Sequence, residues 1–183
     1  MLLNKNFLIV FLVFLVVLFA NYIGFTASLK RERDSRRILD LGSIEVSLKK
    51  YIEEFGSYPL SSDDGLMVAC HGSNTGVAVD KNGNAIPSTF KKSHYVNLVE
   101  CGWGKDPLGD AMDLNYPPYL SPLPADPLQK KGMSYLYTSD GNTYTILATL
   151  ELKEEKDFDK KILSKKIKCG KKYCNFGRGN IVE

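Results

Sequence analysis

The chain has 183 residues, with 24 Lys or Arg against 21 Asp or Glu and a formal net charge of +3. That excess is too small to imply a nucleic-acid partner unless the fold focuses it, and composition is silent about small ligands. A mean hydropathy of −0.17 describes an ordinary globular chain, yet that average conceals a concentration at one end.

From Phe7 to Ala20 the sequence reads FLIVFLVFLVVLFA without a charge, and a weaker apolar stretch continues to Leu29 before Lys30. About 20 helical residues cross a hydrocarbon core of about 30 Å, so residues 7–29 read as a transmembrane helix preceded by a short cytoplasmic leader-like segment, 1–6. A cleavable secretory signal has a shorter apolar core ending at a small-x-small site. The best candidate here, Thr26-Ala27-Ser28, is mediocre, and an uncleaved anchor is preferred. The roughly 150 residues that remain suffice for one compact domain.

Residues 30–56 read as an amphipathic continuation of the same helix. Leu41, Ile44, Leu48, Ile52 and Phe55 recur at spacings of three and four, with Tyr51 widening the stripe and Glu45, Lys49, Lys50, Glu53 and Glu54 on the other faces. Gly42 weakens the helix without stopping it. Gly56, with Tyr58-Pro59 beyond it, supplies the stop.

The remainder, 57–183, reads as a loop-rich globular head. Turn signals at Ser62-Asp63-Asp64-Gly65, Asp80-Lys81-Asn82-Gly83-Asn84 and Pro117-Pro118 break residues 56–132 into loops and short strands, with a small hairpin expected at 76–79 and 85–87. The clearest hairpin is C-terminal: 134–138 and 143–150 carry β-branched and aromatic residues on either side of Ser139-Asp140-Gly141-Asn142. A short antiparallel sheet packed on the helical stripe follows, because each needs an apolar partner. The fold class expected is α+β.

Cys70, Cys101, Cys169 and Cys174 are even in number, which in an exported domain suggests disulfides with three possible pairings. Cys70 with Cys101 and Cys169 with Cys174 is favoured. The first would close about 30 residues, worth roughly 3 to 4 kcal/mol by chain entropy. Zinc is the rival, but Cys70 and Cys101 lack short ligand spacing, and His71 and His94 are the only histidines. Thiol redox catalysis would want C-x-x-C, which is absent.

Other residue groups read more simply as structure. Asp106, Asp110 and Asp113 match no full calcium loop, and Asp80, Asn82 and Asn84 lack the distal glutamate of an EF-hand. Trp103 reads as a cover for a small core. No arrangement of Ser, His and Asp for nucleophilic catalysis is visible. The chain is therefore expected to be no enzyme, with no catalytic, cofactor or metal site and no small-molecule substrate. The clusters Lys160-Lys161, Lys165-Lys166 and Lys171-Lys172, with Tyr173, Phe176 and Arg178, could contact DNA, although Glu154, Glu155, Asp157 and Asp159 dilute the field. A solvated surface strand or helix ending in a disulfide loop is preferred there.

Taken in order, the apolar N-terminal helix, the charged run from Arg31 to Arg37, the stretch from Asp40 to Tyr58-Pro59, the proline-rich segment Tyr119-Leu120-Ser121-Pro122-Leu123-Pro124-Ala125-Asp126-Pro127 and the hairpin from Tyr135 onward resemble the type IV pilin-like proteins, especially the major pseudopilins of type II secretion. The resemblance covers most of residues 7–151. It implies a lollipop-shaped helix carrying an α/β head, with subunits packing through their N-terminal helices into a filament or pseudopilus. It also implies a leader, and here the leader is degenerate: Asn6 stands where the family has glycine, and Phe11 where it has glutamate. Gly24-Phe25-Thr26 imitates the cleavage motif on the wrong side of the apolar run. A minor, priming or tip subunit, or a simply anchored relative, is the form expected. The alternative is an anchored extracellular module binding DNA, a surface polymer or a partner protein.

The positive-inside count opposes an external head, setting Lys5 and the amino terminus against Lys30, Arg31, Arg33, Arg36 and Arg37. The cysteines and the resemblance are weighed above it, so the chain is expected to be a single-pass membrane protein with its C-terminal domain extracytoplasmic.

Overall fold

A run of apolar residues with no proline propagates a helix as long as nothing ends it, and here nothing does for 51 residues. The computed structural model describes residues 5–71, 98–110 and 116–180, and in it α1 (Lys5–Phe55) is one continuous helix, about 76 Å long at 1.5 Å per residue. Its first half is bare: every large apolar residue from Ile9 to Phe19 is at least 47% exposed. Two polar side chains further along, Asn21 and Thr26, turn back onto the helix. Asn21 Nδ2 donates to the Val17 carbonyl at 2.7 Å and Thr26 Oγ1 to that of Ile23 at 2.9 Å, as polar groups do where water is scarce. The helix is long and apolar enough to cross a membrane.

The second half of α1 is the spine of the head. Leu41, Ile44, Leu48 and Tyr51 are completely buried, and Phe55 is half-buried. Tyr51, rather than Ile52, occupies the centre of the stripe, which follows the 3.6-residue period more closely. Towards the bare half of α1 the same face continues with Arg37 and Asp34, both completely buried. The helix ends before Gly56, whose amide donates to the Ile52 carbonyl at 2.8 Å from a φ of +75°, a left-handed conformation that favours glycine.

Two three-stranded antiparallel sheets share a core with this spine, and a two-stranded ribbon packs separately, its Cys169 with Leu147 and Ile162. The first sheet joins β1 (Leu60–Ser61), β2 (Met67–His71) and β3 (Leu98–Glu100) in that order. The second is ordered β4 (Leu136–Ser139), β5 (Tyr144–Ala148) and β8 (Phe176–Gly179), with Leu136 opposite Leu147 and Ala148 opposite Phe176. Between β5 and β8 lie a short helix, α2 (Lys160–Ser164), capped by the Asp159 carboxylate, and the ribbon of β6 (Lys168–Cys169) and β7 (Lys172–Tyr173). The α+β architecture is the one the sequence implies: one long helix packed on a small antiparallel head. The expected hairpin at 134–150 is β4 and β5. The hairpin expected at 76–87 lies outside the described residues.

The core is unusually aromatic. Tyr58 meets Tyr144 at 4.6 Å between ring centroids, Tyr51 meets Tyr119 at 5.8 Å and Trp103 meets Tyr135 edge-on at 5.8 Å, geometries that add to simple area burial. Trp103 is buried.

Candidate functional site

The junction between α1 and the head is an ionic cluster. Asp34 and Arg37 are on one face of α1 because they are three residues apart, and the sheet brings Glu151 against them while the turn after Leu123 brings Asp126. Arg37 Nε and Nη2 donate to the two Asp126 oxygens at 2.8 and 3.0 Å, and its Nη1 donates to Asp34 at 2.7 Å and Glu151 at 3.2 Å. Arg33 makes a second fork onto Glu151, at 2.6 and 2.9 Å. Asp34 also accepts the backbone amides of Glu151 and Leu152, each at 2.9 Å. Two guanidinium groups thus face three carboxylates in fork geometry, the arrangement for which arginine is suited and lysine is not.

The charges respond to this packing. Burial acts to lower the Arg37 pKa, but the hydrogen bonds and charges of Asp126, Glu151 and Asp34 overcome it and hold the guanidinium protonated. Burial likewise pushes the Glu151 carboxyl up, and the bonds from Arg33 and Arg37 leave it below its ordinary value. One turn further along α1, the Tyr135 hydroxyl donates to Asp40 at 2.6 Å. Burial raises the pKa of Asp40 and of Tyr135.

The four cysteines form two disulfides, Cys70–Cys101 and Cys169–Cys174, with sequence separations of 31 and 5. The first ties β2 to the residue after β3. The second closes the ribbon, whose Gly170 (φ +74°) takes the first central position of a two-residue turn and so leaves Lys171 at the tip.

The remaining sequence candidates are separate. Asp106 accepts the Gly102 amide at 2.8 Å, Asp110 is buried and accepts the Tyr119 hydroxyl at 3.4 Å, and Asp140 closes the β4–β5 turn by accepting the amides of Asn142 and Thr143. Those amides hold the Asp140 carboxyl below its ordinary value. Asp113, Asp80, Asn82, Asn84 and His94 lie outside the described residues. Among the described residues, no group of three or more His, Cys, Asp or Glu side chains is placed to hold a metal ion. An open cleft of about 510 Å³ separates Lys50, Glu53 and Glu54 from Tyr116, Pro117, Pro118 and Tyr119. The Tyr119 hydroxyl is held there by Glu54 and Asp110.

Sequence reasoning missed the ionic junction. Arg33, Asp34 and Arg37 read only as part of a charged run, and the available signal was that positions 34 and 37 continue the 41-44-48-51 register. No family model, no curated protein and no solved structure matches this chain.

Proposed function

We infer that the protein is a non-catalytic, membrane-anchored subunit of a type II secretion or type IV pilus-type assembly, pilin-like or pseudopilin-like and of a minor or atypical kind. The observation that carries this reading is the division of labour along α1: one unbroken helix is bare over its first half and forms the buried spine of a head over its second. A helix exposed at every residue from Ile9 to Phe25, almost all of them apolar, needs lipid or other helices around it. The outward face of the spine also remains open. Leu39 is 73% and Val46 54% exposed, one heptad apart, and between them Gly42 has no atom within 4 Å of where a Cβ would stand. Such a face suits a helix of another subunit.

Two disulfides support a head on the extracytoplasmic side, since disulfides persist in oxidising compartments. The opposing positive-inside count is weakened in the folded protein, because Arg33 and Arg37 are neutralised by Glu151, Asp34 and Asp126. The alternative reading, an anchored binding module, is favoured by the crowding of lysines around the disulfide ribbon.

Cross-linking in cells followed by membrane extraction tests the two. Adducts through Leu39 or Val46 positions to the same chain or to secretion or pilus components support the assembly reading. A protein recovered alone under every cross-linking condition sinks it.

A further inference from the structure

The net charge of +3 is the sum of two unlike parts. Residues 163–180 carry six basic side chains and no carboxylate, and residues 127–133 carry two lysines and no carboxylate. What is left of the chain has 16 basic against 21 acidic residues. The fold joins the two basic segments. The Lys171 amide donates to the Gly132 carbonyl at 2.9 Å, Met133 bridges to Gly170, and the Ser134 amide reaches the Cys169 carbonyl at 3.4 Å. A side chain at Gly170 would stand 2.2 Å from the Gly132 carbonyl oxygen, so this approach requires glycine. Lys130 and Lys131 thereby join Lys168, Lys171 and Lys172 in one basic surface around the ribbon, with Lys168 and Tyr173 on one side of it and Lys172 on the other. All six are exposed, and none of the lysines is in an ion pair among the described residues.

The register of the second sheet tells where this face points. At the end of α1 remote from the span, the Tyr58 amide donates to Gly141 in the β4–β5 turn at 2.8 Å, and Tyr58 packs on Tyr144. From there β5 runs back along α1 until Glu151 meets Asp34. The ribbon lies beyond that end of the sheet, with Thr149 Oγ1 donating to the Tyr173 carbonyl at 3.1 Å and Asn175 bonded both ways to Leu150. The basic face is thus at the end of the head nearest the span. Asp34 is five residues past Leu29, about 8 Å along the helix. The headgroup layer outside each side of the hydrocarbon is about 5 to 8 Å thick. Thr26, Ala27 and Leu29 are already half-buried, after an exposed stretch from Ile9 to Phe25.

We propose that the base of the head is a lipid-docking surface, on which Lys130, Lys131, Lys168, Lys171 and Lys172 bind the phosphates of anionic phospholipids in the membrane that holds α1. Tyr173 is suited to the same boundary, where its ring meets the interface and its hydroxyl meets water. Docking fixes the tilt of the spine against the bilayer and so the direction in which Leu39 and Val46 are presented. This rests on the reading that residues 7–29 lie in the bilayer.

Lysine footprinting of the full chain tests it. The protein is reconstituted in nanodiscs of phosphatidylcholine alone and in nanodiscs containing phosphatidylglycerol, and each amine is labelled with a charge-removing reagent and quantified by mass spectrometry. The expected result is labelling about fivefold slower at the five lysines with phosphatidylglycerol, recovered at high salt. Lys50, about 30 Å along α1 from Leu29, reacts at the same rate in both. Equal rates at the base in both lipids, or protection that survives high salt, overturn the proposal. So does protection by a DNA oligonucleotide in phosphatidylcholine discs without any by phosphatidylglycerol, which would make the face a nucleic-acid surface. Failure of the protein to enter nanodiscs at all contradicts the anchored reading itself, whereas entry without protection contradicts only the docking surface.

Discussion

Replacing Arg37 with methionine keeps the apolar stem and most of the volume but removes the guanidinium that four hydrogen bonds hold between Asp126, Asp34 and Glu151. The carboxylates are not left equally stranded. Glu151 keeps its fork from Arg33, and Asp34 keeps two backbone amides, while Asp126 keeps only the Leu128 amide at 2.7 Å. Breaking a buried pair by deleting one partner costs about 3 to 5 kcal/mol, against at most about 1 kcal/mol for a surface pair. For a head of this size each kcal/mol moves the melting temperature by about 2 to 4 °C, so Arg37→Met is expected to lower it by about 6 to 20 °C. Thermal unfolding of the full chain in detergent, followed by near-ultraviolet circular dichroism with the disulfides intact, reads this directly. Adding Asp126→Asn, which keeps an acceptor for the Leu128 amide but removes the charge, recovers part of the loss. A fall worth less than about 1 kcal/mol, or a double variant no better than the single, would refute the claim that a buried ionic junction couples helix to head.

Four further expectations follow from the same geometry. Tyr135→Phe removes the donor to Asp40 and lowers unfolding stability by about 1.5 to 3 kcal/mol, measurable by urea titration. Because the folded state holds Glu151 below its ordinary carboxylate value, its contribution is complete above that value and is lost as pH falls through the folded one. Glu151→Gln should therefore flatten the acid limb of a stability–pH profile. Removing the Cys70–Cys101 pair as a double alanine costs about 4 kcal/mol and removing Cys169–Cys174 about 2, since the loops differ in length, and calorimetry ranks them. Gly170→Ala meets the Gly132 oxygen and needs a positive φ, so it lowers stability by more than about 1 kcal/mol in the same assay.

Those features show which physical signals a sequence displays. The long apolar half of α1, the 41-44-48-51 stripe and the β4–β5 hairpin are local patterns: an unbroken apolar run, a 3.6-residue period, and β-branched arms around Asp140-Gly141. Strand β8 was not legible, because Phe176-Gly177-Arg178-Gly179 lacks strand composition. It is a strand because its glycines permit close approach: a side chain at Gly177 would stand 2.6 Å from Leu147. The ionic junction was hidden for a different reason, as the partners that the head supplies to Arg33, Asp34 and Arg37 come from 89 to 118 residues away. The basic face combines both difficulties, since Lys130 and Lys131 join it only through the contact of Gly132 with Gly170 and Lys171.

The central claim is an anchored chain with an oxidised head outside the cytoplasm, and one measurement addresses it most directly. Intact-mass analysis of the protein extracted from alkali-washed membranes is performed after alkylation, with and without prior reduction. The account predicts a membrane-retained chain whose four cysteines take up the reagent only after reduction. A mass beginning at Phe7 would show in addition that the leader is cut despite Asn6 and would strengthen the assembly reading. Thiols that alkylate without reduction, or a protein released by the alkaline wash, would contradict the account.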